Sequence, residues 1–172
     1  MKRQEQKTEN TWNMQDLYAN EELFDGDVKK LEAMMEEFSK FEATLRLGVK
    51  QIEEPKKQYE ELNFIYEKLH VYANQKYHED TANAKYQKMS GEMQILETKL
   101  GQKLSWMEPE LLALPKETLD SYIEAPQLVK YRRFLSQIAR RRAHVLDAQA
   151  EALMSRIGEL GGAPANIYSM FN

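Results

Sequence analysis

An all-α fold, an antiparallel helical bundle built on a long helical hairpin with shorter C-terminal helices, follows from three observations. Apolar side chains at Ala82, Tyr86, Met89, Met93, Leu96, Leu100, Leu104 and Met107 recur every three or four residues, the period of one helix face. A second stripe at Tyr59, Leu62, Tyr66, Leu69, Ala73 and Tyr77 shares that period. Only the short His78–Thr81 stretch separates the stripes, so the two helices should be antiparallel neighbours. No segment shows the two-residue alternation of a strand.

The 172 residues suit one domain, read as a polar, disordered N-terminus over 1–10 and a single helical domain over 11–172. Charged residues at 30% and hydrophobic ones at 42% fit a chain that buries a core and stays in water. The first ten residues, MKRQEQKTEN, are polar and lack the apolar heart of a signal peptide. No apolar run approaches membrane-spanning length, so no membrane partner is expected. Cysteine is absent, which removes disulfides, thiolate nucleophiles and cysteine-bound metals, and allows a cytoplasmic setting.

In chain order, Thr11–Tyr18 (TWNMQDLY) is dense in Trp12, Met14, Leu17 and Tyr18 but too short for a long helix. It should lie on the bundle as a strap. Asn20 is a good N-cap, with Glu21 and Glu22 in the first turn where the helix dipole favours them. That helix is expected to reach Leu47, with Phe24, Val28, Leu31, Met35, Phe38 and Leu45 inward, Met34 and Phe41 on one flank, and Gly48 as its stop. Pro55 fits the first turn of the next helix, which runs to His78. Phe64 and Val71 lie nearly opposite its main stripe, with Ile65 and Tyr72 to one side. Either the Trp12 strap or a missing partner must cover Phe64 and Val71.

Asp80 or Thr81 can cap the central helix, and Pro109 ends it. Gly91 and Gly101 lie inside it, off the seam. Close approach of another backbone would explain them, as would an uncompensated weakness of about 1 kcal/mol each. Glu108–Ile123 holds two prolines, each suited to open a short helix. Ala125-Pro126 opens another with Leu128, Tyr131, Leu135 and Ile138 inward, ending in Arg140–Arg142. Asp147 caps a last helix through Ala150, Leu153, Ile157 and Leu160, stopped at Gly161-Gly162. The apolar tail residues Ile167, Met170 and Phe171 read as the opening of a further element.

Charge is unevenly spread. From Glu21 to Glu61 there are twelve acidic and seven basic residues; from Ala125 to Leu146 there are six cations (Lys130, Arg132, Arg133, Arg140, Arg141, Arg142) and no acid. Basic and acidic helices facing each other would explain this, and so would an anionic partner. A nucleic-acid partner is not expected, because aromatic interleaving and a recognition motif are missing.

No catalytic, cofactor-binding or metal-binding residue is assigned. A zinc peptidase needs two histidines one helical turn apart with a glutamate between them. His70 and His78 stand about 12 Å apart along a helix axis and about 80° apart around it, and cannot share an ion there. Ala82 occupies the place where a motif begun by His78-Glu79 needs its second histidine. The remaining histidine, His144, has no partner at such spacing. Ser105, Ser121 and Ser136 form no nucleophile arrangement, and no phosphate-cradling glycine loop is present. Tyrosines at 59, 66, 72, 77 and 86 suggest ligand stacking, although packing explains helical spacing as well.

Five stretches together resemble the N-terminal region of oligoendopeptidase F, in the M3 (thimet-type) zinc metallopeptidase family. They are TWNMQDLY (Thr11–Tyr18), YEKLHVYANQKYHEDTANAKYQ (Tyr66–Gln87), SWMEPELLALP (Ser105–Pro115), YRRFLSQIARRRAHVLDAQAEALM (Tyr131–Met154) and LGGAPANIYSMFN (Leu160–Asn172). The resemblance implies a mostly helical, clam-shaped parent that cleaves short peptides in a channel. In that parent, zinc is held by an H-E-x-x-H helix and a downstream glutamate. These ligands fall beyond the matched stretch, so no zinc is implied for this chain. It implies a non-catalytic wall of the peptide cleft, partnered by the C-terminal catalytic domain. An autonomous helical protein-protein interaction module is the alternative. As a fragment, the chain is expected to form a weak homodimer that hides its uncovered apolar residues.

Overall fold

The computed structural model describes Lys7 and residues 11–142. The readings on Met1–Asn10 other than Lys7, on His144, on the Asp147-capped helix and on the C-terminal tail lie outside the described residues. Six α-helices follow one another: α1 Glu21–Phe38, α2 Lys50–Glu79, α3 Ala84–Leu104, α4 Met107–Ala113, α5 Lys116–Glu124 and α6 Arg132–Arg141. Short 3-10 turns lie at Met14–Asp16, Ser39–Phe41, Leu45–Leu47 and Pro126–Tyr131. The fold is all-α, with no strand among the described residues.

The hairpin is α2 against α3. Leu62, Leu69 and Ala73 of α2 and Met89, Met93, Leu96 and Leu100 of α3 are buried. Asn83, rather than Asp80 or Thr81, caps α3: its side-chain oxygen accepts from the Lys85 N–H at 3.0 Å. Asp80 instead accepts from the Ala82 N–H at 3.2 Å and shapes the turn. Ala82 therefore falls outside the helix and is exposed. The seam also breaks before its expected end, because α3 stops at Leu104 and Met107 opens α4, with Pro109 in that helix's first turn. Nothing lies within 4 Å of a methyl group built at Gly91 or Gly101, so no close approach explains either glycine.

α2 starts five residues before the expected Pro55, and the proline is buried inside it. Pro55 is the sixth residue of α2, past the first turn, so it gives up its own bond to the carbonyl of Gln51 and its ring crowds that carbonyl. α1 packs against both α2 and α3, and on the α2 side Tyr72 meets Phe24 at 5.3 Å and Tyr18 at 5.2 Å between ring centroids. The strap is anchored by Met14 and Tyr18, both buried, and the Tyr18 hydroxyl donates to Asp27 at 2.8 Å. Trp12 is not the cover expected of it. It is 79% exposed, and so are Phe64 at 72% and Val71 at 44%.

α1 does not reach Leu47. It ends at Phe38 behind its Asn20 cap, and the chain turns through Ala43 at φ 63°. The reason lies 67 and 65 positions away: the Glu110 carboxylate accepts the N–H of Ala43 at 2.8 Å and of Leu45 at 2.7 Å. Tyr122 adds a third tie, its hydroxyl donating to the Leu45 carbonyl at 3.1 Å. α4 and α5 thus pull the loop out of helix, and Gly48 at φ 139° then turns the chain into α2.

The acidic and basic stretches do not face each other as blocks. Acids of α1 pair mainly with lysines of α3: Glu21 with Lys85, Glu32 with Lys99 and Glu36 with Lys103. Four of the six C-terminal cations are engaged with other segments, one of them with the acidic stretch. Lys130 pairs with Glu60, Arg141 with Glu108, and Arg132 donates to the Ile123 carbonyl. Arg142 donates to the carbonyls of Leu112 and Leu114, satisfying the end of α4. Exposed pairs of this kind add little stability but fix register.

Candidate functional site

Among the described residues, one concave feature is a trough between the α2–α3 hairpin and α4 with α6. Its first part, about 390 Å³, has Tyr59 and Tyr66 of α2, Leu100 and Leu104 of α3, and Phe134 of α6 in its walls. Its second part, about 580 Å³, is lined by Phe134, Gln137, Ile138, Arg140, Arg141 and Glu108. Phe134 and Glu108 line both, so the two parts are adjacent.

Helical spacing builds the first part. Tyr59 and Tyr66 are seven residues apart, two turns along one face, about 10 Å from ring to ring along the axis. Both are half-buried. The Tyr66 hydroxyl lies 3.1 Å from His70 Nδ1, His70 Nε2 lies 2.9 Å from Asn74 Nδ2, and the Ser90 hydroxyl donates to Asn74 Oδ1 at 3.2 Å. An amide nitrogen only donates, so Asn74 requires Nε2 to accept and leaves the ring proton on Nδ1, facing Tyr66. Tyr66 then keeps its own proton to donate to Glu97. Burial, with the charge of Glu97 beside it, pushes the Tyr66 hydroxyl up to about 12. This chain of bonds holds the Tyr66 ring in place at the trough wall.

Lys56 ties α6 to α2. Its ammonium lies 4.1 Å from the Tyr59 ring centroid and 4.2 Å from that of Phe134. Burial draws its pKa down, Glu60 opposes the shift, and Lys130 adds to it. The rings favour the charged form, and the shared cation links Phe134 of α6 to Tyr59 of α2.

Of the tyrosines singled out by spacing, only Tyr59 and Tyr66 meet here. Tyr72 belongs to the core with α1, Tyr77 stacks against His78 at 5.4 Å, and Tyr86 lies 5.6 Å from the Lys76 ammonium. Phe134 falls three residues after Tyr131 and four before Ile138, on the flank of that stripe, so its spacing could have found it. No helix among the described residues is long and apolar enough to cross a membrane. Nor does any group of three or more His, Cys, Asp or Glu among them fit a metal ion. His70 is engaged with Tyr66 and Asn74, and His78 is exposed. The donor set here does not suit zinc, and no catalytic step is assigned to these residues.

The oligopeptidase F family model matches residues 110–172. Oligopeptidase PepF of Bacillus subtilis is 25% identical over 99% of this chain and 26% of its own length. Group B oligopeptidase PepB of Streptococcus agalactiae is 29% identical over 94% of this chain and 27% of its own. The chain thus spans about a quarter of these curated relatives. Among solved structures, oligoendopeptidase-F from Enterococcus faecium is 30% identical, with a TM-score of 0.64 over 89% of this chain and 30% of that one. A candidate peptidase from Chlamydophila abortus shares the fold at a TM-score of 0.80 and 20% identity, over 98% of this chain and 29% of that one. These comparisons bear out the resemblance carried by the motifs: the chain is similar to the N-terminal region of oligoendopeptidase F.

Proposed function

We propose that residues 11–172 form the non-catalytic N-terminal lobe of an oligoendopeptidase F-like enzyme, walling the cleft in which short peptides are cut. The observation that carries this reading is the unequal coverage: nearly all of this chain matches about a quarter of each peptidase. The chemistry then belongs to the other three quarters, where a C-terminal catalytic domain would hold zinc. The trough supports the reading, because an apolar, aromatic concavity of this size suits peptide side chains better than a metal.

The test is to titrate the purified chain with a quenched fluorescent peptide of about nine residues, following anisotropy and cleavage together. Binding without hydrolysis, unchanged by added zinc, is the expected result. Hydrolysis by the chain itself would overturn the reading, as would a parent gene with no downstream H-E-x-x-H.

The exposed Phe64 and Val71 favour a second surface, covered by the catalytic domain in the parent enzyme and by a second copy in its absence. Each side chain is worth about 1.5–3 kcal/mol on full burial, too little for a tight dimer after association costs. Sedimentation should therefore show weak, concentration-dependent dimers. A strict monomer at all concentrations would remove the second copy from this account.

A further inference from the structure

We infer that the second part of the trough is a carboxylate pocket in which Arg140 anchors the free C-terminal end of a bound peptide. The inference rests on the peptide reading above and adds an orientation to it. Among the described residues, Arg140 is exposed and has no ion-pair partner, unlike Lys130 and Arg141. Beside it the Arg141 guanidinium gives one nitrogen to Glu108 and keeps further N–H donors of its five for another acceptor. The exposed amide of Gln137 lies one turn before Arg141, and the floor is apolar: Phe134 and the buried Ile138.

A purely anionic ligand such as phosphate would use the arginines and leave that floor dry. A neutral apolar ligand would use the floor and leave Arg140 unmatched. A peptide terminus with an apolar last residue uses both, and its planar carboxylate suits a guanidinium fork. Glu108 offsets the charge of Arg141, and the C-terminal end of α6 opposes an anion with about half an elementary charge, so the lining keeps a net positive charge through Arg140 alone. Toward Tyr59 and Tyr66 the trough continues without another unpaired cation in its lining, so the rest of the peptide runs that way. The α6 part covers about 9 Å of helix and the α2 part about 10 Å, each enough for about three extended residues.

The experiment titrates the full chain with an N-acetylated apolar pentapeptide, as the free acid and as the carboxamide, by calorimetry in low and moderate salt. The free acid should bind about ten-fold more tightly, with a gap that narrows as salt rises. Arg140→Gln, at an exposed position, should erase the gap by weakening the free acid far more than the carboxamide. Equal affinity for acid and carboxamide overturns the inference, and so does a gap that survives in R140Q. If the carboxamide binds and Phe134→Ala weakens it without any acid preference, only the orientation falls and the peptide reading stands. If neither peptide binds, both fall. Inorganic phosphate competing as well as the free acid would make the pocket a general anion site and would also overturn the assignment.

Discussion

The two outer flanks of α2 differ in what covers them. On one, Tyr59 and Tyr66 are half-buried beneath α4 and α6, locked by Lys56 and by the His70–Asn74 bonds. On the other, Phe64 and Val71 carry comparable apolar surface and face outward. Sequence composition does not separate them, since both pairs sit seven residues apart on the same helix. The difference teaches that the chain supplies its own cover only where a later segment returns. Where nothing returns, the apolar stripe is left for something outside the described residues.

The largest effect should come from the seam between these flanks. Leu69 is fully buried, and Leu69→Ala should cost about 2–5 kcal/mol in urea unfolding. Phe64→Ala should change stability by less than about 0.5 kcal/mol while weakening any dimer. A Phe64→Ala cost above about 2 kcal/mol in a dilute monomer would break the comparison, by showing that face to be covered.

Next comes the tie that seats the covering layer. Glu110 holds the Ala43 and Leu45 N–H groups with a charged acceptor, so Glu110→Ala should cost about 2 kcal/mol. Hydrogen exchange should rise in residues 42–47 and little in the α2–α3 seam. Uniform loss of protection would mean the loop and the hairpin unfold as one unit.

Gly91 offers a smaller change of opposite sign. With open space around an added methyl, Gly91→Ala should raise stability by about 1 kcal/mol in thermal melts. A loss would reveal a neighbour at that surface.

The smallest effect concerns alkaline pH. The Tyr66 hydroxyl is pushed up to about 12, and burial with Asp27 pushes Tyr18 further the same way. A tyrosine ordinarily titrates near 10, so the folded state holds these protons more tightly than the unfolded one. That contribution is complete below about pH 10 and is lost as pH rises through about 12. Tyr66→Phe should flatten the fall between those values and leave the midpoint near pH 7 little changed. An identical fall in the variant would assign it to Tyr18 or to other groups.

The sequence by itself determined the helical class, the hairpin and most of its buried stripe. Leu62, Leu69, Met89, Met93, Leu96 and Leu100 obey one local period, and a period is a property of neighbours a few residues apart. The Asn20 cap was legible for the same reason, since its acceptor serves the Leu23 N–H only three positions on. The five motifs likewise pointed to the relatives that the comparisons found. Where α1 ends was decided only by the tertiary structure. The stretch after Phe38 keeps apolar residues at helical intervals, and what withdraws it from helix is a carboxylate far along the chain. The trough is tertiary for the same reason. Phe134 reads as one more aromatic on the flank of the α6 stripe until α6 folds back and Lys56 meets it near Tyr59. Arg140 is one of six cations in sequence and, like Arg133, is left without an ion-pair partner among the described residues; only the fold places it in the lining of the trough. Pairing across dozens of residues depends on which surfaces meet, and local propensity carries no record of that.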